Sequence, residues 1–465
     1  MFDTRLHDYF APTDCAESRA LIADVAAAAR LENQAAARKL KYAGELFELR
    51  RAERGEEEDW AVDTWAAVGA ELAAALRITL GKAGSFMSYG IAMRRLPAVA
   101  TVFTAGDIDL QTFATIVYRT ELITDEAVIA EVDACIAVCA PRWLTLGRGR
   151  LAREIDHVVF GNDPDAVRRV NERARDRQVT FWDAQDGTAD MSGRLFAADA
   201  ELLDKRLDAL AATTCEGDPR TLAQRRADAM GALAAGAERL MCRCGSAECS
   251  ATGAVTTGVV IHIVAKQETL NGESDEPGHL IGSNTMITAE LLRDLAAQAK
   301  LRPLVVPADT VAEAGYRPSR ALADFVRARD LTCRAPGCSR PATQCDLDHT
   351  IPYPRGTTHA SNLKCLCRLH HLLKTFWGWQ DHQRPDGTVI WRLPNGQTHV
   401  TTPGSASLFP TLIAPTGELP TPAAAAPDHP QRTAMMPLRT ATRARNRASR
   451  IAAERASPPT PRIAV

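Results

Sequence analysis

Between Cys333 and Thr375 the chain carries side chains that bind metals and move protons, at spacings suited to both tasks. Cys333-x4-Cys338 and Cys367-x2-His370 form two ligand pairs. In the first, Pro336-Gly337 turns a knuckle-like loop. In the second, ligands at i and i+3 share one helix face. Two such pairs close a tetrahedral site with no open position, as in a structural Zn2+ site. Cys345 and Cys365 are competing thiols at poorer spacing. A module this small buries little, so the metal would supply much of its folding free energy.

A second set is threaded through the first: Asp348, His349, Asn362 and His371. Successive helical residues project about 100° apart, so His370 can face the zinc while His371 faces away. Lys374 and Thr375, at i+3 and i+4, share the His371 face. In an extended strand Asp348 and His349 project to opposite sides. Carboxylate plus imidazole leaves room for water and substrate around a divalent ion. A neutral imidazole, with an ordinary pKa of about 6.5, can take a proton from water at neutral pH.

These residues sit near the end of a 465-residue chain, long enough for two or more domains. Residues 1–310 read as a mainly α domain. Helical patterns run over Glu17–Arg51, Trp60–Leu76, Asp109–Leu122, Asp125–Cys139, Gly147–Val159 and Asp165–Arg177. Gln178–Trp182 and Met191–Phe196, with Asp186-Gly187 between, predict a β-hairpin. Helices follow over Asp199–Ala212, Pro219–Met241 and Thr288–Lys300, with strands at Val255–Val264 and Leu304–Val306. Residues 317–402 read as a small α+β module, with hairpin turns at Asp386-Gly387 and Asn395-Gly396. Trp391 reads as packing, and His359, His382 and His399 as surface residues. Residues 403–465, rich in Pro, Ala, Thr and Arg, read as a disordered basic tail, of which Thr440–Arg455 could turn helical on a polyanion.

Twelve cysteines with no export signal point to reduced thiols in a cytoplasmic protein. Cys15, Cys135, Cys139 and Cys215 read as small core residues. Cys242, Cys244 and Cys249 bring three thiols together. A second zinc there lacks a clear fourth ligand, with only distant His262 or His279 on offer, and a surface loop of free thiols is the simpler reading. No apolar run reaches the roughly 18 residues of a membrane span. The net charge of -2 hides a division. Residues 1–316 hold 35 Lys+Arg against 48 Asp+Glu, while 317–400 hold 12 against 6 and 401–465 hold 8 against 3. The basic C-terminal third suits a polyanionic partner.

Residues 333–375 resemble the zinc-containing HNH endonucleases of the ββα-metal class, in which two strands and a helix hold one divalent ion. The resemblance implies His349 as general base, Asp348 and His371 as ligands of a catalytic Mg2+ or Mn2+, and Asn362 as a brace that orients His349. Lys374 would contact phosphate. The implied substrate is double-stranded DNA, cut to a 5′-phosphate and a 3′-hydroxyl. A long helical region before such a module is similar to the actinobacterial 13E12 repeat family, whose N-terminal domain, of the DUF222 type, has no known function. That region is open to a role as a scaffold for a protein partner. The alternative is a DNA-binding or regulatory protein that uses the zinc module without cutting.

Overall fold

The computed structural model describes residues 15–456 apart from 144–145, 168–176, 185–187, 251–260, 282–284, 298, 308–310 and 418–434. The chain divides into two compact units, one comprising Met1–Val170 with Pro430–Val465, the other Asn171–His429.

The first unit is helical. It contains α1 (Ala16–Arg54), α2 (Thr64–Leu76), α3 (Leu80–Arg95), α4 (Pro97–Ala105), α5 (Leu110–Thr120), α6 (Glu126–Cys139) and α7 (Arg148–Asn162). Helix α1 buries Ala37, Leu40, Ala43, Gly44 and Phe47, a stripe at helical spacing. It crosses α3 where Gly44 meets Gly90, and a Cβ on Gly90 would collide with the Leu40 carbonyl oxygen. Phe103 and Phe113 stack in the core, 4.7 Å between centroids. The starts of α2, α5 and α6 are capped by Asp63, Asp109 and Asp125, whose carboxylates accept otherwise unpaired N–H groups. Buried Asp133 does the same for α4 from a distance, accepting from Ala98 and Val99 at 2.7 and 2.9 Å. Helices α3 and α4 are absent from the sequence expectation. Of the helix expected over Asp165–Arg177, only a short 3-10 turn, Pro164–Ala166, lies among the described residues.

In the second unit β1 (Gln178–Asp183) pairs antiparallel with β2 (Ala189–Arg194), the expected hairpin, with its turn outside the described residues. Helices α8 (Ala197–Ala211) and α9 (Leu222–Ala234) follow. A three-stranded sheet is built from β3 (His262–Val264), β4 (Gly278–Ile281) and β5 (Met286–Ile287), with α10 (Gln267–Leu270) and α11 (Ala289–Ala296). The strand expected over Val255–Val264 is described only from residue 261 on, and Leu304–Val306 forms no strand. After α12 (Arg320–Asp330), β6 (Cys345–His349) pairs antiparallel with β7 (Leu363–Cys367), and α13 (Arg368–Phe376) follows directly. The last sheet has the order β10 (Thr398–Thr401), β9 (Val389–Arg392), β8 (Gln380–Gln383). Trp391 is fully buried and its indole N–H donates to the Arg334 carbonyl at 2.9 Å, so it packs.

The C-terminal residues correct the expectation of a disordered tail. Ser405, Phe409, Leu412 and Thr416 are buried in the second unit. Further on, α14 (Arg443–Arg455) is helical and belongs to the first unit. Arg439 and Arg443 pair with Asp63 at 2.8 and 3.0 Å, Arg447 and Arg450 with Glu121 at 3.5 and 2.8 Å, and Arg455 with Asp163 at 2.8 Å. The arginines that composition assigns to solvent find carboxylates on an acidic helical body, and Ile451 packs against its core. No described helix is long and apolar enough to cross a membrane.

Candidate metal centre and its neighbouring acid–imidazole cluster

Cys367, at the end of β7, is the residue just before α13; its N–H donates to Cys333 Sγ and its thiol lies beside the ring of His370. The metal-binding atoms of Cys333, Cys338, Cys367 and His370 all lie within 4.8 Å of one another. The Cys338 and Cys367 sulfurs are 4.0 Å apart, and His370 Nδ1 lies 3.2 Å from Cys367 Sγ and 3.6 Å from Cys333 Sγ. With Zn–S bonds of about 2.3 Å, tetrahedral thiolates sit about 3.8 Å apart, so this donor set fits zinc. Cys345 instead donates to the Pro341 carbonyl, and Cys365 faces the Val326 carbonyl.

His371 points away from that cluster, as its place on the helix requires. Its Nδ1 lies 2.8 Å from Asp346 Oδ2 and its Nε2 3.5 Å from Asp348 Oδ1. A carboxylate on Nδ1 favours a proton there, while Nε2 is turned to Asp348. Asp346 has no place in the sequence expectation. It lies two residues before Asp348, on the same face of β6.

Asp348 is buried, and its Oδ2 accepts from Lys364 at 2.7 Å and from Lys374 at 2.6 Å. Burial alone would raise its pKa. The two ammonium groups outweigh burial and hold it at about 2. Lys364 is fully buried and also meets Asp381, at 2.5 Å. Lys374 further donates to the His349 carbonyl at 2.6 Å and pairs with Asp381 at 3.2 Å. Its ammonium protons therefore all have partners within the protein.

The His349 ring lies parallel to Tyr316, 5.3 Å between centroids, and its Nε2 is 2.9 Å from Thr358 Oγ1. The Thr358 hydroxyl donates to the Gly315 carbonyl at 2.6 Å. With that hydrogen committed, Thr358 can only accept from His349, so Nε2 carries the proton and Nδ1 is the free base. Burial lowers the His349 pKa, partly countered by Asp348. Fully buried Asn362 ties the following loop: its Oδ1 accepts from the Ile351 N–H, and its Nδ2 donates to the carbonyls of Ile351 and Thr357, at 2.8, 3.0 and 2.9 Å. Arg329 anchors α12 beneath it, donating to the Ala360 and Leu363 carbonyls. His359, expected on the surface, is buried and accepts from Ser361 N–H.

A second cluster overturns one expectation. Cys215 is not a core residue: it joins Cys242, Cys244 and Cys249, the thiols that the sequence already brings together, as the fourth donor that was missing there. The four sulfurs lie within 4.8 Å of one another, with Cys215 and Cys242 3.4 Å apart. His262 and His279 are not part of this cluster. Cys15 and Cys135 are exposed and Cys139 half-buried, so none of these is a core residue either. Each of the two clusters can hold a metal ion such as zinc.

The chain is 44% identical to the uncharacterized protein Rv3776 of Mycobacterium tuberculosis, over 98% of its own length and 93% of that protein's. It is equally identical to the uncharacterized protein Rv2100 of the same species, over 98% and 90%. No solved structure matches it. Residues 27–330 match the family described as a domain of unknown function, DUF222. That stretch includes the four-cysteine cluster and ends just before Cys333. On this match, spanning well over half of the sequence, the chain belongs to the DUF222 family.

Proposed function

We propose that this protein is a metal-dependent endonuclease of the HNH type that hydrolyses phosphodiester bonds of double-stranded DNA. One observation carries the reading: Asp348 and His371 meet at 3.5 Å beside a zinc-type donor set, while His349, next to Asp348 on β6, holds its Nε2 against Thr358 and leaves Nδ1 as the base. The β6–β7 hairpin followed by α13 supports a ββα-metal unit.

Asp348 Oδ1 and His371 Nε2 would hold Mg2+ or Mn2+, and Asp346 keeps His371 in the tautomer that can ligate. When bound, such an ion offsets charge on the phosphoryl oxygens and on the leaving oxygen. His349 Nδ1 takes the proton of the attacking water as the new P–O bond forms and the bond to the 3′-oxygen breaks. Its lowered pKa keeps it unprotonated at neutral pH. Asn362 holds the 351–357 loop, and Thr358 orients the ring through Nε2. Lys364 and Lys374 keep Asp348 ionised.

The shared carboxylate gives the second reading its footing. Asp348 Oδ2 already serves two ammonium groups, so a divalent ion competes with them for the same side chain, and a module that binds DNA without cutting is the alternative. Plasmid incubated with purified protein and Mg2+ or Mn2+ separates the two. Nicking that is lost in His349→Ala and with EDTA supports the nuclease. Intact plasmid that is still retarded on a gel supports the binding module.

A further inference from the structure

We infer that Cys215, Cys242, Cys244 and Cys249 form a second, closed zinc site, which pins together the two segments that leave α8 and α9. The inference is independent of the nuclease reading.

The ligands come from two stretches. Cys215 follows α8, and the other three follow α9 in the run Cys242-Arg-Cys244-Gly-Ser-Ala-Glu-Cys249. Four sulfurs within 4.8 Å, one pair at 3.4 Å, match the edges of a single tetrahedral site. The 3.4 Å separation is far longer than the roughly 2.05 Å of a disulfide. A polynuclear iron–sulfur cluster would place several irons and sulfides between the thiols and hold them further apart. Four thiolates around one ion leave no position open for water or substrate, so the role is structural.

Surrounding contacts hold the two stretches in register. Arg220 donates to Asp218 and to the Met241 carbonyl, both at 2.7 Å, and to Asp228 at 2.6 Å. The Arg243 N–H donates to Asp218 at 3.0 Å, and the Leu240 N–H to Thr213 at 2.9 Å. Apolar packing there is limited, with Ala237 and Leu240 buried between α9 and the thiols. Of the residues of α8 and α9, only Leu210, Ala211 and Ala229 are buried. A region with so small a core depends on a cross-link for its stability, and a four-thiolate metal provides one.

The test is the zinc content of the full-length protein, by elemental analysis and native mass spectrometry, with a denatured sample weighed to count free thiols. Two zinc ions per chain are expected in the parent, one in Cys215→Ser and one in Cys338→Ser. Amide exchange in 213–221 and 237–249 should rise in Cys215→Ser and stay unchanged in Cys338→Ser. One zinc in the parent, falling to none in Cys338→Ser, would overturn the inference. So would iron in place of zinc, or a mass showing these cysteines oxidised in pairs. If Cys215→Ser does not fold, the parent's stoichiometry and alkylation still decide. Cys15 and Cys135 should label at once, and the four clustered thiols only after chelation; immediate labelling of all six counts against the site.

Discussion

Replacing Thr358 by valine removes one hydroxyl and little else, which makes it a sharp probe of the role proposed for His349. Thr358 is fully buried, and its oxygen both accepts from His349 Nε2 and donates to the Gly315 carbonyl. Gly315 is exposed, so its carbonyl can turn to water at little cost. His349 is buried and has no such recourse. Its Nε2–H loses an acceptor worth about 1–3 kcal/mol, the usual range for a buried group left unpaired. That energy is what favours the tautomer with Nδ1 free; its loss brings the two tautomers close to equal populations, so cleavage should slow by about 2-fold. Single-turnover nicking with Mg2+ at saturating DNA measures the rate. Nitrogen-15 spectra of histidine-labelled protein report the tautomer without any turnover. The parent should show a protonated Nε2 and a bare Nδ1, and the variant a shift of both towards an average. A variant that cleaves at the parental rate with an unchanged nitrogen pattern would refute the reasoning.

Other perturbations test separate parts of the fold. Asn362→Ala strips three hydrogen bonds from a fully buried position and should cost about 2–4 kcal/mol, read as faster exchange of the Ile351 amide and a lower melting temperature. Asp63→Ala removes both the N-cap of α2 and the carboxylate that holds Arg439 and Arg443. It should destabilise the first unit by about 2 kcal/mol and expose α14 to proteolysis. Burial raises the Glu71 pKa, and Arg50 only partly offsets it. The stability this gives is present below the ordinary carboxylate pKa and is lost as pH rises through the raised one. Glu71→Gln should therefore melt higher than the parent at pH 7 and with it at pH 4, and equal melting at both would contradict the assignment.

Spacing made the Cys333, Cys338, Cys367 and His370 set legible, because both ligand pairs are local and the turn and helix between them are themselves written in sequence. His370 and His371 could be separated by helical geometry alone. Asp346 was readable in principle, since alternation along β6 sets it beside Asp348. Thr358 and Tyr316 carried no local signal, because they reach His349 through the path of the loop. Cys215 stands 27 residues before Cys242 and looked like any small apolar residue in an Ala-rich helix. Helices α3 and α4 escaped because Leu80-Gly-Lys-Ala-Gly-Ser has weak helix formers and little contrast between faces. The arginines after residue 438 looked solvated because their carboxylate partners lie more than 290 positions away.

The docking of α14 also bears on the order in which the protein can be made. Residues 171–429 are inserted between two parts of the first unit, whose body is synthesised first and whose last helix is synthesised near the end. Asp63, Glu121 and Asp163 therefore wait, unpaired with their arginines, while the whole second unit emerges. Closing so long a loop costs entropy that grows only slowly with its length, but the contact forms late and between distant residues. During that interval the acidic body is open to any basic or chaperone surface that meets it. Its full stability arrives only once α14 has been made and has docked.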